Sequence, residues 1–182
     1  MKRAFFVLAV MLLLMGPAVI SAGSNRPELR NMSWGMTLKE VKQAENLSLT
    51  YEEKDALVYN TELVGFPCSL LYFFQKDSLY RGGYAFTQTH ANATDFIGDY
   101  GRVKNYLKQQ YGEPKSDEVI WKDSRYQEDP SQWGLALKTG GLELCSRWEK
   151  EGTEILLLLS GDKDGLNFML VYNDNEQASM DE

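Results

Sequence analysis

Between Leu142 and Tyr172 the chain sets three strand-like runs, Leu142 to Glu149, Glu154 to Ser160 and Leu166 to Tyr172, almost end to end. The short gaps between them are centred on Glu151-Gly152 and on Asp162-Lys163-Asp164-Gly165. Connectors this short, built from Gly and Asp, make hairpin turns and leave no room for a crossover. Consecutive strands are therefore expected to pair antiparallel, which argues against a parallel Rossmann sheet. No Gly-rich phosphate loop follows any strand either. Within the middle run, Ile155 to Leu159 is apolar without alternation, which predicts a central strand covered on both faces.

The same reading extends along the chain. Ala56 to Leu63, Cys68 to Gln75 and Leu79 to Thr87 read as strands, with Lys76-Asp77-Ser78 as a tight connection. Glu118 to Lys122 and Gly134 to Lys138 read as two more, and Gly140-Gly141 as a further turn. Two helices punctuate the strands. Thr37-Leu38-Lys39-Glu40 is a capping-box pattern that predicts a short helix from Leu38, with Leu38, Val41 and Ala44 facing inward. Phe96, Tyr100, Val103, Leu107 and Tyr111 fall at helical spacing and form one apolar stripe, closed by Gly112 and Pro114. Asn25 to Asn31, polar and containing Pro27, is expected to be a flexible lead-in. The expected fold is α+β: one antiparallel β-sheet with two helices on one side, arranged as tandem α-β-meander units. The units span roughly 31–87 and 92–172 of a single domain, 24–172, and an acidic tail, 173–182, is expected to be disordered.

The first residues have the form of an export signal. Lys2 and Arg3 precede an apolar run from Phe5 to Met15, and Gly16-Pro17 leads to the small residues Ser21, Ala22 and Gly23. The run is shorter than the roughly 20 residues a membrane-spanning helix needs. Residues 1–23 are thus expected to be cleaved, giving a soluble periplasmic or extracellular protein without a transmembrane anchor. Cleavage removes two of the 19 basic residues and none of the 26 acidic ones, so the net charge falls from −7 to −9. An acidic surface repels phosphate, so nucleic acid is not an expected partner.

Cys68 and Cys145, in a chain bound for an oxidising compartment, are expected to form one disulfide, with two separate buried thiols as the alternative. Catalytic and metal chemistry finds few candidates. The only His, His90, lies in a polar stretch, and no G-x-S-x-G surrounds Ser160. The acidic pairs Asp117-Glu118 and Glu128-Asp129 could supply acid and base for glycoside cleavage, though an acidic chain contains such pairs by chance. Asp162 to Gly165 lacks the remaining ligands of a calcium loop and reads as a hairpin turn. Three sequons, beginning at Asn31, Asn46 and Asn92, have meaning only in a eukaryotic secretory pathway. No catalytic residue, metal or cofactor is assigned.

Aromatic residues are the remaining signal. Tyr126 and Trp133, in a long polar loop after Trp121, are the candidate partner-recognition residues, with core packing as the alternative. Arg81-Gly82-Gly83 inside a strand signals a bulge or a close backbone approach, or the lining of a ligand cleft.

Trp34-Gly35-Met36-Thr37-Leu38-Lys39-Glu40-Val41 resembles the G-M-T-x-x-E-V helix opening of small exported domains of the SmpA/OmlA outer-membrane assembly lipoprotein type, and Tyr111-Gly112-Glu113-Pro114 resembles their L-G-x-P helix ending. Two such units in tandem are similar to the layout of the β-lactamase inhibitor protein. The chain departs from the pattern in three places. Ser24 stands where a lipid-bearing Cys would be, the first helix lacks the G-x-P ending, and the second lacks the G-M-T opening. The resemblance implies a non-enzymatic protein-binding scaffold recognising another protein or an envelope component. The alternatives are a small-ligand or glycan binder with an aromatic cleft, and a carboxylate-dependent hydrolase.

Overall fold

The computed structural model describes residues 29–175. Along the chain come α1 (Leu38–Ala44), β1 (Leu49–Glu53), β2 (Ala56–Leu63), β3 (Phe66–Gln75), β4 (Ser78–Phe86) and α2 (Asp95–Tyr111). They are followed by β5 (Ser116–Trp121), α3 (Trp133–Lys138), β6 (Leu142–Lys150), β7 (Thr153–Asp162) and β8 (Gly165–Asp174). The strands form one eight-stranded sheet in the order β1-β2-β3-β4-β8-β7-β6-β5, antiparallel throughout. Strands β1–β4 form a meander, β5–β8 also pair in sequence order but with α3 between β5 and β6, and the two runs meet where β4 pairs with β8.

Local chemistry sets the helix ends. Thr37 accepts from the Glu40 amide while the Glu40 carboxylate takes the Thr37 amide at 2.8 Å, closing the expected capping box at α1. In α2 the stripe Phe96, Tyr100, Val103 and Leu107 is buried, and Gly112 closes the helix with φ +83, a backbone conformation that glycine adopts without strain. Burying those four side chains contributes about 1.5–3 kcal/mol each before entropy is subtracted.

All three helices lie on one face of the sheet. Tyr100 bonds Ser146 on β6, the Trp148 indole of β6 donates to the Gly112 carbonyl at 2.9 Å, and Tyr111 meets Tyr172 of β8. Glu45, the C-cap of α1, accepts from the Tyr72 hydroxyl of β3 at 2.8 Å. On the same side, Leu137 of α3 lies against Gly161 of β7.

Four expectations are corrected. Residues 134–138 form helix α3, not a strand; Asp129 and Pro130 open a 3-10 turn that leads straight into it. Among the described residues there are thus three α-helices, and an exposed edge strand, β1, lies where no strand is expected. The lead-in is not loose at its end: Leu29 and Met32 are buried and bridge one another, and Arg30 pairs with the buried Glu45. Asn173 and Asp174, assigned to the tail, complete β8. The expected signal segment, 1–23, and the tail beyond 175 lie outside the described residues.

Candidate functional site

Strand registers assign every side chain to one of two faces. On the helix side run rows such as Leu57-Tyr72-Gly82-Tyr172-Ile155-Trp148, every member buried. The opposite face carries the rows Val58-Leu71-Gly83-Val171-Leu156 and Ser69-Ala85-Met169-Leu158-Cys145. Apart from the buried Gly83 these residues are only half-buried, and no described helix packs over them. The predicted double cover of Ile155 to Leu159 is therefore half right: Ile155, Leu157 and Leu159 enter the core, while Leu156 and Leu158 face outward.

A pit of about 250 Å³ lies in this uncovered face where the two runs of four strands join. Leu71, Phe73, Ala85, Met169 and Val171 wall it, and Gly83 forms its floor. The glycine is a consequence of the junction. A Cβ built on Gly83 would overlap the Leu170 carbonyl oxygen and lie 3.0 Å from the Val171 Cα, so β4 and β8 could not pair this closely around any other residue. A strand glycine also leaves a gap in its row, and that gap is the pit. Next to it the β3–β4 register shifts between Phe73 and Phe74, and Arg81 emerges exposed at the rim, its Nε donating to Asn173 Oδ1 at 2.7 Å. Arg81-Gly82-Gly83 thus makes the expected close approach and lines the pit, while the irregularity in β4 falls one residue earlier, at Tyr80.

The sequence-derived candidates fall elsewhere. Cys68 and Cys145 are free thiols. Cys68 points to the helix side of β3 and Cys145 to the uncovered side of β6, four strands away, or roughly 19 Å at the usual strand spacing. A disulfide needs Cα atoms within about 7 Å, so the expected bridge is replaced by two separate thiols. Burial pushes the Cys68 thiol up to about 11. Trp133 opens α3, stacks edge-on against Trp121 at 5.6 Å and donates to the Gln127 carbonyl, while Tyr126 lies half-buried beside Arg125. Both candidate aromatics pack at the helix side of the β5 edge, away from the pit.

The polar clusters are structural in geometry. Tyr100, Ser146, Asp117 and Lys104 form a hydrogen-bonded chain at 2.6 to 2.9 Å from the core to the surface. Ser146 is fully buried, so it offers no approach to a substrate. Partial burial of Asp117 acts to raise its pKa, but the Ser146 hydroxyl and the Lys104 ammonium outweigh it and hold the carboxyl below its usual range. A general acid needs the opposite shift. Asp117 and Glu118 also point to opposite faces of β5, since their partners Ser146 and Cys145 do. His90 meets the buried Asp99 at 2.6 Å with Gln88 on the same oxygen, tying the preceding loop to α2. Among the described residues no group of three His, Cys, Asp or Glu could hold a metal ion, and no helix is long and apolar enough to cross a membrane.

Compared with known protein families, curated proteins and solved structures, the chain matches none.

Proposed function

We propose that this is an exported, non-enzymatic binding protein whose uncovered sheet face recognises another protein or an envelope component. One observation carries the reading. Strand β7 presents leucine to both sides, and the outward pair, Leu156 and Leu158, joins Val58, Leu71, Phe73, Met169 and Val171 in an apolar stripe with a pit at its centre. Contiguous apolar surface of this kind marks interaction sites on soluble domains, and a small desolvated pocket is the usual seat of a dominant contact. The basic, apolar and small-residue sequence at the N-terminus supports export of the chain without residues 1–23. The first half, one helix followed by four strands, and the second, one helix followed by four strands with α3 inserted between β5 and β6, support a tandem α-β-meander layout of the β-lactamase-inhibitor-protein type. A small-ligand or glycan site is less well supported, because among the described residues Phe73 is the only aromatic ring lining the pit from the uncovered side, and the volume is below that of ordinary ligand pockets.

The test is site-specific photo-crosslinking in the compartment that holds the protein. A benzophenone side chain at position 158 is expected to give discrete adducts, whereas one at Gln109, on the outer side of α2, gives none. Equal labelling from both positions overturns the reading.

A further inference from the structure

The registers on the first meander point to a specific occupant. Two rows cross the uncovered face from β1 to β4: Tyr51-Val58-Leu71-Gly83 and, one pleat along, Glu53-Ala56-Phe73-Arg81. Tyr51 is the most exposed large apolar residue described, at 56%, and its hydroxyl donates to Glu53 at 2.7 Å. One end of the patch therefore presents a projecting ring beside a carboxylate. The other end, about 14 Å away at the usual strand spacing, presents a pit beside a guanidinium. The two ends are complementary in shape and charge, and they are offset identically along the strands.

We infer that the first meander pairs face to face with a second copy of this chain. The two-fold axis lies in the interface, parallel to the strands and between β2 and β3. Such an axis exchanges β1 with β4 and β2 with β3 while keeping each row in place. It sets Tyr51 over the partner's Gly83 and Glu53 over the partner's Arg81, and each contact occurs twice, as an isologous interface requires. The inner positions match as well. Val58 meets the partner's Leu71, and Ala56 meets the partner's Phe73, a small residue under a large one. Asn60 and Ser69, paired on the next pleat, meet as two hydrogen-bonding side chains. This is aligned sheet packing, in which two twisted sheets stack about 10 Å apart with their strands within about 30°. The patch covers about 400 Å² of sheet plane per copy, the small end for specific interfaces, so a concentration-dependent equilibrium between monomer and dimer is expected.

The inference rests on the uncovered face being a binding surface and names its partner for the first four strands. Analytical ultracentrifugation of the secreted protein tests it. The wild type is expected to dimerise reversibly. Glu53→Arg and Arg81→Glu should each raise the dissociation constant at least about tenfold, and the double variant should return it to within about threefold of wild type. Tyr51→Ala should also weaken the dimer by about tenfold or more. Urea midpoints of the charge variants serve as the folding control. A protein that stays monomeric at all concentrations, a dimer indifferent to these changes, or a double variant no better than either single one overturns the inference. Crosslinking from position 158, on β7 outside this patch, then decides the broader reading separately.

Discussion

Replacing Gly83 with alanine perturbs the junction on which both the sheet and the pit depend. The added methyl would collide with the Leu170 carbonyl oxygen and sit 3.0 and 3.1 Å from the Val171 Cα and the Leu170 carbonyl carbon, all of them backbone atoms of β8. No side chain can turn aside to relieve the overlap, so the two strands must separate across a ladder of only five register pairs, Arg81 to Ala85. Overpacking that side chains can absorb costs about 1–3 kcal/mol, and this case belongs at or above the top of that range. A loss of about 3 kcal/mol corresponds to a fall in Tm of about 6–12 °C for a chain of this size. The comparison is Gly98→Ala in α2, where a Cβ meets nothing within 4 Å and removal of a helix glycine should stabilise by about 0.5–1 kcal/mol. Urea unfolding of both variants, followed by far-UV and tryptophan signals, gives the two free energies. A Gly83→Ala protein within about 0.5 kcal/mol of wild type would show that β4 and β8 are not held this closely, and the origin given for the pit would fail with it.

Glu45→Ala should cost about 2–3 kcal/mol in urea, because it strips acceptors from the Tyr72 hydroxyl and the Leu47 amide and unpairs Arg30; the 34% exposure of the Arg30 side chain keeps the loss below that of a fully buried pair. An unchanged midpoint would mean that the Arg30 segment is not seated on α1. Alkylation of the unreduced protein after unfolding should add two groups by mass, since both thiols are free; a mass with none added would require a different strand order. Asp117 has a folded pKa below its unfolded value, so its contribution is present above the unfolded carboxyl range and is lost as pH falls through the folded value. Asp117→Asn should therefore lower stability at pH 7 and shrink the difference between wild type and variant towards zero in strong acid, and a difference independent of pH would contradict the assignment.

Elements with a strong period were legible in the sequence. The apolar stripe of α2, the Thr37–Glu40 capping box and the hairpins around β7 are local patterns, and local patterns survive folding. Helix α3 was missed because six residues are too few to show a period; its N-terminal signal, Asp129 followed by Pro130 in a turn, lies in what reads as a loop. Strand β1 was missed because every residue in it is exposed, so its sequence carries no burial alternation. The lead-in looked polar because its single buried leucine, Leu29, precedes a charged Arg30 whose partner is 15 positions away. The uncovered face was half legible. Five consecutive apolar residues in β7 said that both sides of the strand meet apolar surface, but nothing in one sequence says whether that surface belongs to the same chain. The cysteine pairing was not legible at all, since face and strand order depend on how two distant hairpins join.

Oxidative footprinting of Met169 tests most directly whether the uncovered face is occupied in use. This side chain sits between Ala85 and Leu158 in the apolar stripe, and the buried Met32 provides an internal reference. In the purified chain at high dilution, hydroxyl radicals should oxidise Met169 readily and Met32 slowly. In the native compartment Met169 should become several-fold less reactive while Met32 is unchanged. Equal reactivity of Met169 in both settings would mean that nothing covers the stripe, and the face would not be the binding surface.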